Sequence, residues 1–235
     1  MPTAPPAQLG SGRGNIVLVL ATSGPAGEVG LHREGQPLAT LALGAGAARG
    51  RGLLPAVAAL LTGAGLVPRD LTGVIVDVGP GSFTGVRVGV TAAKTLAFAL
   101  RIPVLGVSSL EALAYTDAPA ETVMPLRDAG RGTVYVAVYG PSQNGVRPLL
   151  GPPARIDAPA LARLAPAARC VGEHAPRLAE ALGRAGPTAI GVADAAAFLA
   201  RGLARLVAGE AQSPATLVPL YLQASAPERL RAGEV

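Results

Sequence analysis

The sequence predicts an α/β fold with a mixed sheet, and three observations favour it. Residues 15–22, NIVLVLAT, form a continuous apolar run with the length of a buried strand. Two shorter apolar segments, EVGLH and PLATLAL, lie on either side of a turn at residues 33–36, as in an antiparallel meander. Helical and strand patterns then alternate along the chain, and this alternation is typical of α/β proteins.

The first predicted helix covers residues 51–65, where the apolar residues fall on one stripe. Pro55 fits this helix only within its first turn, where no intrahelical hydrogen bond is lost. One face of the helix is therefore expected to be buried. The stripe consists of Leu53, Leu54, Val57, Leu60 and Leu61.

Three further elements complete the N-terminal half. The pattern predicts a strand at residues 74–78, a helix from about Val86 to Leu100 and another strand in IPVLGVS. Together with the meander they form a first lobe, which we expect to cover residues 15–112. Residues 1–14 are rich in Pro and Gly and are predicted to be a disordered tail.

The C-terminal half predicts shorter elements in a smaller lobe, residues 113–235. The segment TVMPLRDAGRGTVYVAVYG predicts two strands around a loop at residues 127–132. Helices follow, the strongest of them in AAAFLARGLARLVAGE, with Asp194 as its expected cap. No repeat with a fixed period is visible.

Composition limits the kinds of site that the chain can form. Cys170 is the only cysteine, which excludes an internal disulfide and a cysteine metal cluster. The formal net charge is +5, and Lys94 is the only lysine. The arginines are scattered, so an ordinary solvated surface and a face that contacts tRNA directly both stay open. The sequence shows neither an apolar leader nor a run of membrane-spanning length, so we expect a cytoplasmic protein that does not contact a membrane.

The stretch DVGPGSFTGVRVGV joins the strand that ends near Asp77 to the following helix. It lacks the Gly-Lys-Ser/Thr ending of a P-loop. It also departs from the dinucleotide fingerprint G-x-G-x-x-G, because Thr84 occupies the position of the third glycine and Gly85 comes one residue later. Both nucleotide motifs therefore fail.

Read as a turn from strand to helix, the same stretch makes structural sense. Gly79 and Gly81 permit backbone angles that a side chain resists, and Ser82 or Thr84 can cap the helix. Free N–H groups at a helix start also attract anions, so contact with an anion or nucleotide stays open beside the purely structural reading.

The loop GPGSFTGVR and the longer segment at residues 79–114 resemble the signature of the TsaB family, also called YeaZ. Weaker similarity in RDAGRGTVYVAVY and in the late PLYL extends the resemblance over about residues 16–222. It implies two ribonuclease-H-like lobes with mixed sheets and flanking helices, as in the actin/Hsp70 superfamily of ATPases. The signature-loop residues are Gly79, Pro80, Gly81, Ser82, Phe83, Thr84, Gly85 and Arg87.

The resemblance also implies a role in making threonylcarbamoyladenosine in tRNA. In that pathway TsaD moves the threonylcarbamoyl group from threonylcarbamoyl-AMP to the adenosine beside the anticodon. TsaB-like proteins resemble TsaD but act as its non-catalytic partner, and a small ATPase, TsaE, joins the bacterial complex. We therefore expect this chain to bind TsaD-like and TsaE-like proteins, to form a homodimer when alone and to meet tRNA only through the complex. We expect no cofactor or metal for this chain alone, and ATP is possible in the assembled complex.

The residues themselves favour a non-catalytic role, and no catalytic residue is predicted. His32 and His174 lie far apart, unlike the histidine pair by which TsaD-type proteins hold a metal. Actin-type ATPases place an aspartate at the end of the first strand, where this chain has Leu20, and leucine cannot ligate a hard cation. Asp77 and Asp128 remain as candidate nucleotide or metal contacts. The alternative is therefore an independent ATP-binding or ATP-hydrolysing enzyme of the actin-like class.

A partner interface is expected on two helices. In the family, the helices equivalent to residues 51–64 and 86–100 pack against the matching helices of TsaD or of a second copy. The alternative is that their apolar residues face their own sheet. The predicted interface residues are Leu53, Val57, Leu61, Val86, Gly89 and Val90.

Overall fold

The computed structural model describes residues 14–44, 47–116, 120–184 and 186–222. The predicted tail at residues 1–14 lies outside this part of the chain, except for Gly14. The described residues form two lobes, each built on a five-stranded sheet.

The first sheet has the strand order β3-β2-β1-β4-β5. β1–β3 form the predicted antiparallel meander, and β4 and β5 run parallel to β1. β1 and β4 are buried at every position, which explains their continuous apolar sequences. The strands are β1 (Ile16–Ala21), β2 (Glu28–Arg33), β3 (Gln36–Ala42), β4 (Gly73–Asp77) and β5 (Val104–Val107).

The second sheet repeats this topology, with the order β10-β9-β6-β7-β8. β6, β7 and β8 form an antiparallel meander, β9 runs parallel to β6, and β10 runs parallel to β9. The predicted fold class, two ribonuclease-H-like lobes with mixed sheets, is confirmed. The strands are β6 (Val123–Gly130), β7 (Thr133–Val136), β8 (Ala154–Asp157), β9 (Arg169–Val171) and β10 (Thr188–Ala189).

Six α-helices flank the two sheets in the described part of the chain. α1 and α2 cover one face of the first sheet, and α3 and α6 cover the other. α4 and α5 pack on the second sheet. The helices are α1 (Ala47–Gly63), α2 (Phe83–Leu100), α3 (Ser109–Ala114), α4 (Ala158–Arg163), α5 (Ala175–Ala181) and α6 (Ala195–Val207).

The chain passes between the lobes twice. The boundary predicted between residues 112 and 113 falls inside α3, whose Ala112 and Leu113 pack under the first sheet. After the second sheet the chain returns, because Phe198 and Leu199 of α6 join the same core cluster. The first lobe therefore contains residues from both ends of the sequence.

The start of α1 was predicted wrongly. α1 begins at Ala47 rather than near residue 51, so Pro55 lies inside the helix and not in its first turn. Proline inside a helix removes one backbone hydrogen bond. Leu53, Val57 and Leu61 are buried around it, and we attribute the tolerance of Pro55 to this packing.

The predicted caps are present. The Ser82 side chain accepts a hydrogen bond from the Gly85 N–H at the start of α2, and the Asp194 carboxylate accepts one from the Ala197 N–H at the start of α6. By length and composition alone, α2 could cross a membrane. One face of α2 is buried in the first lobe.

Candidate functional site

The signature loop lies between β4 and α2 and packs against the turn that follows β1. Gly79 has φ +90°, which side chains rarely adopt. A Cβ on Gly81 would stand 2.6 Å from the Ser23 carbonyl oxygen, so only glycine allows this close approach. The Ser82 N–H donates to the same carbonyl oxygen at 2.9 Å. The glycines therefore serve a turn that is pressed against a neighbouring loop.

Asp77, the last residue of β4, ties these two loops together. Its carboxylate accepts the Ser23 N–H and the Gly79 N–H, each at 2.8 Å, and the side chain is buried. Burial raises the pKa of Asp77, while the nearby Arg127 guanidinium and the hydrogen bonds from Ser23 and Gly79 act in the opposite direction. Both carboxylate oxygens are thus engaged by the chain's own backbone.

Arg127 connects the second lobe to this network. It projects from β6, and its Nη1 donates to the Ser23 hydroxyl at 2.6 Å and to the Pro80 carbonyl oxygen at 3.4 Å. Ser109 Oγ donates to the same carbonyl at 2.6 Å. Arg127 stands in the segment RDAGRG and was not among the predicted site residues. The signature loop is therefore held from both lobes.

A cleft of about 340 Å³ opens between the lobes at this point. It brings together the signature loop, the turn after β1, the second half of β6 and the start of α5, with apolar contributions from three leucines. Asp128 lines the cleft, whereas Asp77 lies buried beneath it; Asp128 Oδ1 accepts the Gly130 N–H at 2.7 Å. The lining residues are Ser23, Gly24, Pro25, Gly81, Ser82, Leu113, Leu126, Arg127, Asp128, Glu173, His174 and Leu178.

Phe83, Thr84 and Arg87 of the signature are exposed on the first turns of α2 and do not line the cleft. The Phe83 ring lies 5.3 Å from the Tyr221 ring, and the Arg87 guanidinium lies 5.3 Å from the centre of the Phe83 ring. These contacts join the C-terminal PLYL segment to the start of α2.

The six predicted interface residues are all buried in the chain's own first lobe. They therefore follow the second alternative, in which the apolar residues of these helices face their own sheet. A Cβ on Gly89 would collide with Thr22 Oγ1, so this glycine permits a close approach within the chain and not to a partner. Any interface on α1 and α2 must therefore use their other faces. Leu53, Val57, Leu61, Val86, Gly89 and Val90 are the residues concerned.

The remaining candidates lie apart. Leu20 is buried in the core beneath α1 and α2 and does not line the cleft. His32 is buried on β2 in the first lobe, whereas His174 is exposed beside the cleft at the start of α5. No group of three or more metal-ligating side chains occurs among the described residues.

Comparison with known proteins gives consistent similarities. Residues 46–162 match the family model described as TsaD, tRNA N6-adenosine threonylcarbamoyltransferase. The tRNA threonylcarbamoyladenosine biosynthesis protein TsaB of Bacillus subtilis is 49% identical over 87 residues, which are 37% of this chain and 38% of that protein. TsaB of Escherichia coli is 38% identical over 97 residues, which are 40% of this chain and 42% of that protein.

These alignments span only about two fifths of the two TsaB proteins. The solved structure of YeaZ from Pseudomonas aeruginosa extends the similarity. It has a TM-score of 0.75 and 30% identity, and the match covers 88% of this chain and all of that one.

Proposed function

The chain belongs to the TsaB (YeaZ) family, and from this membership we propose that it acts as a non-catalytic subunit in the biosynthesis of threonylcarbamoyladenosine in tRNA. It binds a TsaD-like transferase, which moves the threonylcarbamoyl group from threonylcarbamoyl-AMP to the adenosine next to the anticodon. It works in the cytoplasm and forms a homodimer when alone. A TsaE-like ATPase joins the complex, and tRNA is contacted through TsaD.

The state of Asp77 is the observation that carries the non-catalytic assignment. A hard cation such as Mg²⁺ needs free oxygen ligands. Both oxygens of Asp77 accept backbone N–H groups, and the Arg127 guanidinium interacts electrostatically with the same buried carboxyl group. A second cation beside Asp77 would meet repulsion from this guanidinium. Leu20, at the end of the first strand, supplies no replacement ligand.

The outer faces of α1 and α2 supply the surface for the transferase. Leu54 on α1 is 56% exposed, and Phe98 on α2 is 79% exposed. The two helices pack side by side, since a Cβ on Gly50 would lie 3.6 Å from Val88 Cγ2. Exposed aromatic and leucine side chains on neighbouring helices favour a protein partner over solvent.

Reconstitution tests this function directly. A mixture of tRNA, threonine, bicarbonate, ATP, the synthase of threonylcarbamoyl-AMP, TsaD and TsaE is assayed for threonine incorporation with and without the chain. We expect incorporation only when both TsaD and this chain are present. Full incorporation without the chain would refute the proposal. Incorporation without TsaD would favour an independent enzyme instead.

A binding assay with matched variants tests the surface. The double variant Leu54→Asp, Phe98→Asp is expected to lose capture of TsaD, because two charges would be buried in the interface. Ile190→Asp places the same charge at a residue that is 74% exposed and follows β10 in the second lobe, and it is expected to bind TsaD normally. Equal capture by both variants would place the interface elsewhere.

A further inference from the structure

The interlobe cleft contains charged groups that the chain itself leaves unused. Arg127 donates through Nη1 only, so its Nε and Nη2 have no acceptor among the described residues. Glu173 is half-buried in the cleft wall, and its carboxylate forms no hydrogen bond and no ion pair with any residue that the structure describes. Asp128 uses one of its two oxygens. Donors and acceptors thus face the same space without meeting.

Gly24 marks the gap between them. The point at which a Cβ on Gly24 would stand is 3.4 Å from Arg127 Nη2 and 3.6 Å from Glu173 Oε1. A side chain at residue 24 would occupy this gap, and glycine leaves it open. The two charged groups do not form an ion pair across it, although both border it. A ligand that offers an acceptor on one side and a donor on the other would satisfy both.

The charge balance of the cleft selects the kind of ligand. Arg127, Asp128, Glu173 and His174 line the cleft, and the Arg127 guanidinium also interacts electrostatically with the buried Asp77. A phosphate or polyphosphate would therefore meet two carboxylates that no described cation neutralises. A ligand that brings a positive group to these carboxylates and a negative group to Arg127 fits better.

We propose that this cleft binds a small α-amino acid in its zwitterionic form. The ammonium group lies between Glu173 and Asp128, and the carboxylate accepts from Arg127 Nη2 and from the Ser82 hydroxyl. Ser82 Oγ already accepts the Gly85 N–H, so its own hydrogen is free to donate. The ligand's side chain contacts the leucines of the cleft wall. A cleft of this volume is within the usual size of small-molecule sites.

The test uses the isolated full-length chain, labelled with ¹⁵N, and follows the amide signals of Gly24 and Gly81. Glycine, L-alanine, L-serine and L-leucine are titrated in turn to about 20 mM, a range that detects even millimolar affinities. At least one is expected to shift both signals saturably. N-acetyl-L-serine lacks the ammonium group and L-serinamide lacks the carboxylate, and each is expected to bind at least about tenfold more weakly than L-serine, the loss of one charged contact.

Glu173→Gln keeps the shape of the side chain and removes its charge, so it is expected to weaken binding at least about tenfold. Glu180→Gln changes an exposed carboxylate on α5 outside the cleft and is expected to leave affinity unchanged. Absence of shifts with all four amino acids would overturn the proposal. Equal binding of the two analogues, or shifts produced by Mg-ATP that strengthen in Glu173→Gln, would overturn it as well. Because TsaD and tRNA are absent from this experiment, its outcome is independent of the proposed function.

Discussion

Replacing His32 with leucine is expected to stabilise the fold and to reduce its sensitivity to acid. His32 on β2 is 2% exposed, and neither ring nitrogen has a hydrogen-bond partner among the described residues. The ring lies on the face that α6 covers, because a Cβ on Gly30 would stand 2.6 Å from both His32 Nε2 and Ala195 Cβ. A polar ring is thus held against an apolar neighbour.

The size of the effect at neutral pH follows from this burial. A buried polar group without a partner costs about 1–3 kcal/mol of stability. Leucine has a similar volume and no polar atoms, so His32→Leu is expected to raise the free energy of unfolding by about 1–2 kcal/mol.

The pH dependence has a defined sign. Burial lowers the pKa of His32 from its ordinary value of 6.5. Below that pH the unfolded chain binds a proton that the folded chain binds less readily, so the stability of the protein falls as the pH decreases. One pH unit contributes at most about 1.4 kcal/mol, so the loss between neutral pH and pH 5 reaches up to about 2 kcal/mol. The leucine variant lacks this loss.

Urea unfolding followed by circular dichroism at about pH 7.5 and about pH 5 measures both effects, because the two values lie on either side of the histidine pKa. The advantage of His32→Leu over the natural chain is expected to grow toward pH 5. His174→Leu changes the other histidine, which is exposed, and is expected to show no such growth. A variant that is less stable at both pH values, or whose advantage stays constant, would show that the His32 ring has a partner, and the reasoning would be wrong.

Two further substitutions test packing in each lobe. Gly89→Ala is expected to lower the free energy of unfolding by about 1–3 kcal/mol, because its Cβ would collide with Thr22 Oγ1; Gly52→Ala in α1, where a Cβ would meet nothing within 4 Å, is expected to raise it by up to about 1 kcal/mol. Equal effects in urea unfolding would contradict this reading. Arg184→Ala is expected to cost about 3 kcal/mol, because the buried guanidinium donates to four carbonyl oxygens in and after α4. Arg163→Ala, at an exposed position on α4, is the control, and a similar loss there would count against the role of Arg184.

Local patterns were sufficient to predict most of the first lobe. The continuous apolar run predicted β1, because burial on both faces of a sheet leaves that signature in the sequence. The turn predicted at residues 33–36 joins the paired strands β2 and β3. The caps Ser82 and Asp194 were predictable for the same reason, since capping depends on neighbouring residues only. The start of α1 was not, because tertiary packing around Pro55 overrides the local preference.

The candidate site was harder to predict because it depends on contacts between distant residues. Ser23 and Arg127 are 104 positions apart in the chain, and no local pattern connects them. Glu173 was missed for the same reason. The sequence left two alternatives open for the residues of α1 and α2, since an apolar stripe shows that one helix face is buried but does not show which surface buries it. For Leu53 and Val90 that surface is the chain's own sheet.

The repeated topology explains why the cleft forms where it does. β1 and β6 are the corresponding first strands of the two sheets, and Ser23, just after β1, meets Arg127 of β6 across the cleft. The lobes share the topology but differ in chemistry at this point. The first lobe supplies a carboxylate from β4, and the second supplies a guanidinium from β6. The signature loop lies at this contact between the lobes. Its Gly81 packs against Ser23, and its Pro80 carbonyl oxygen accepts from Arg127, so the loop first of all stabilises the junction between two lobes of the same topology.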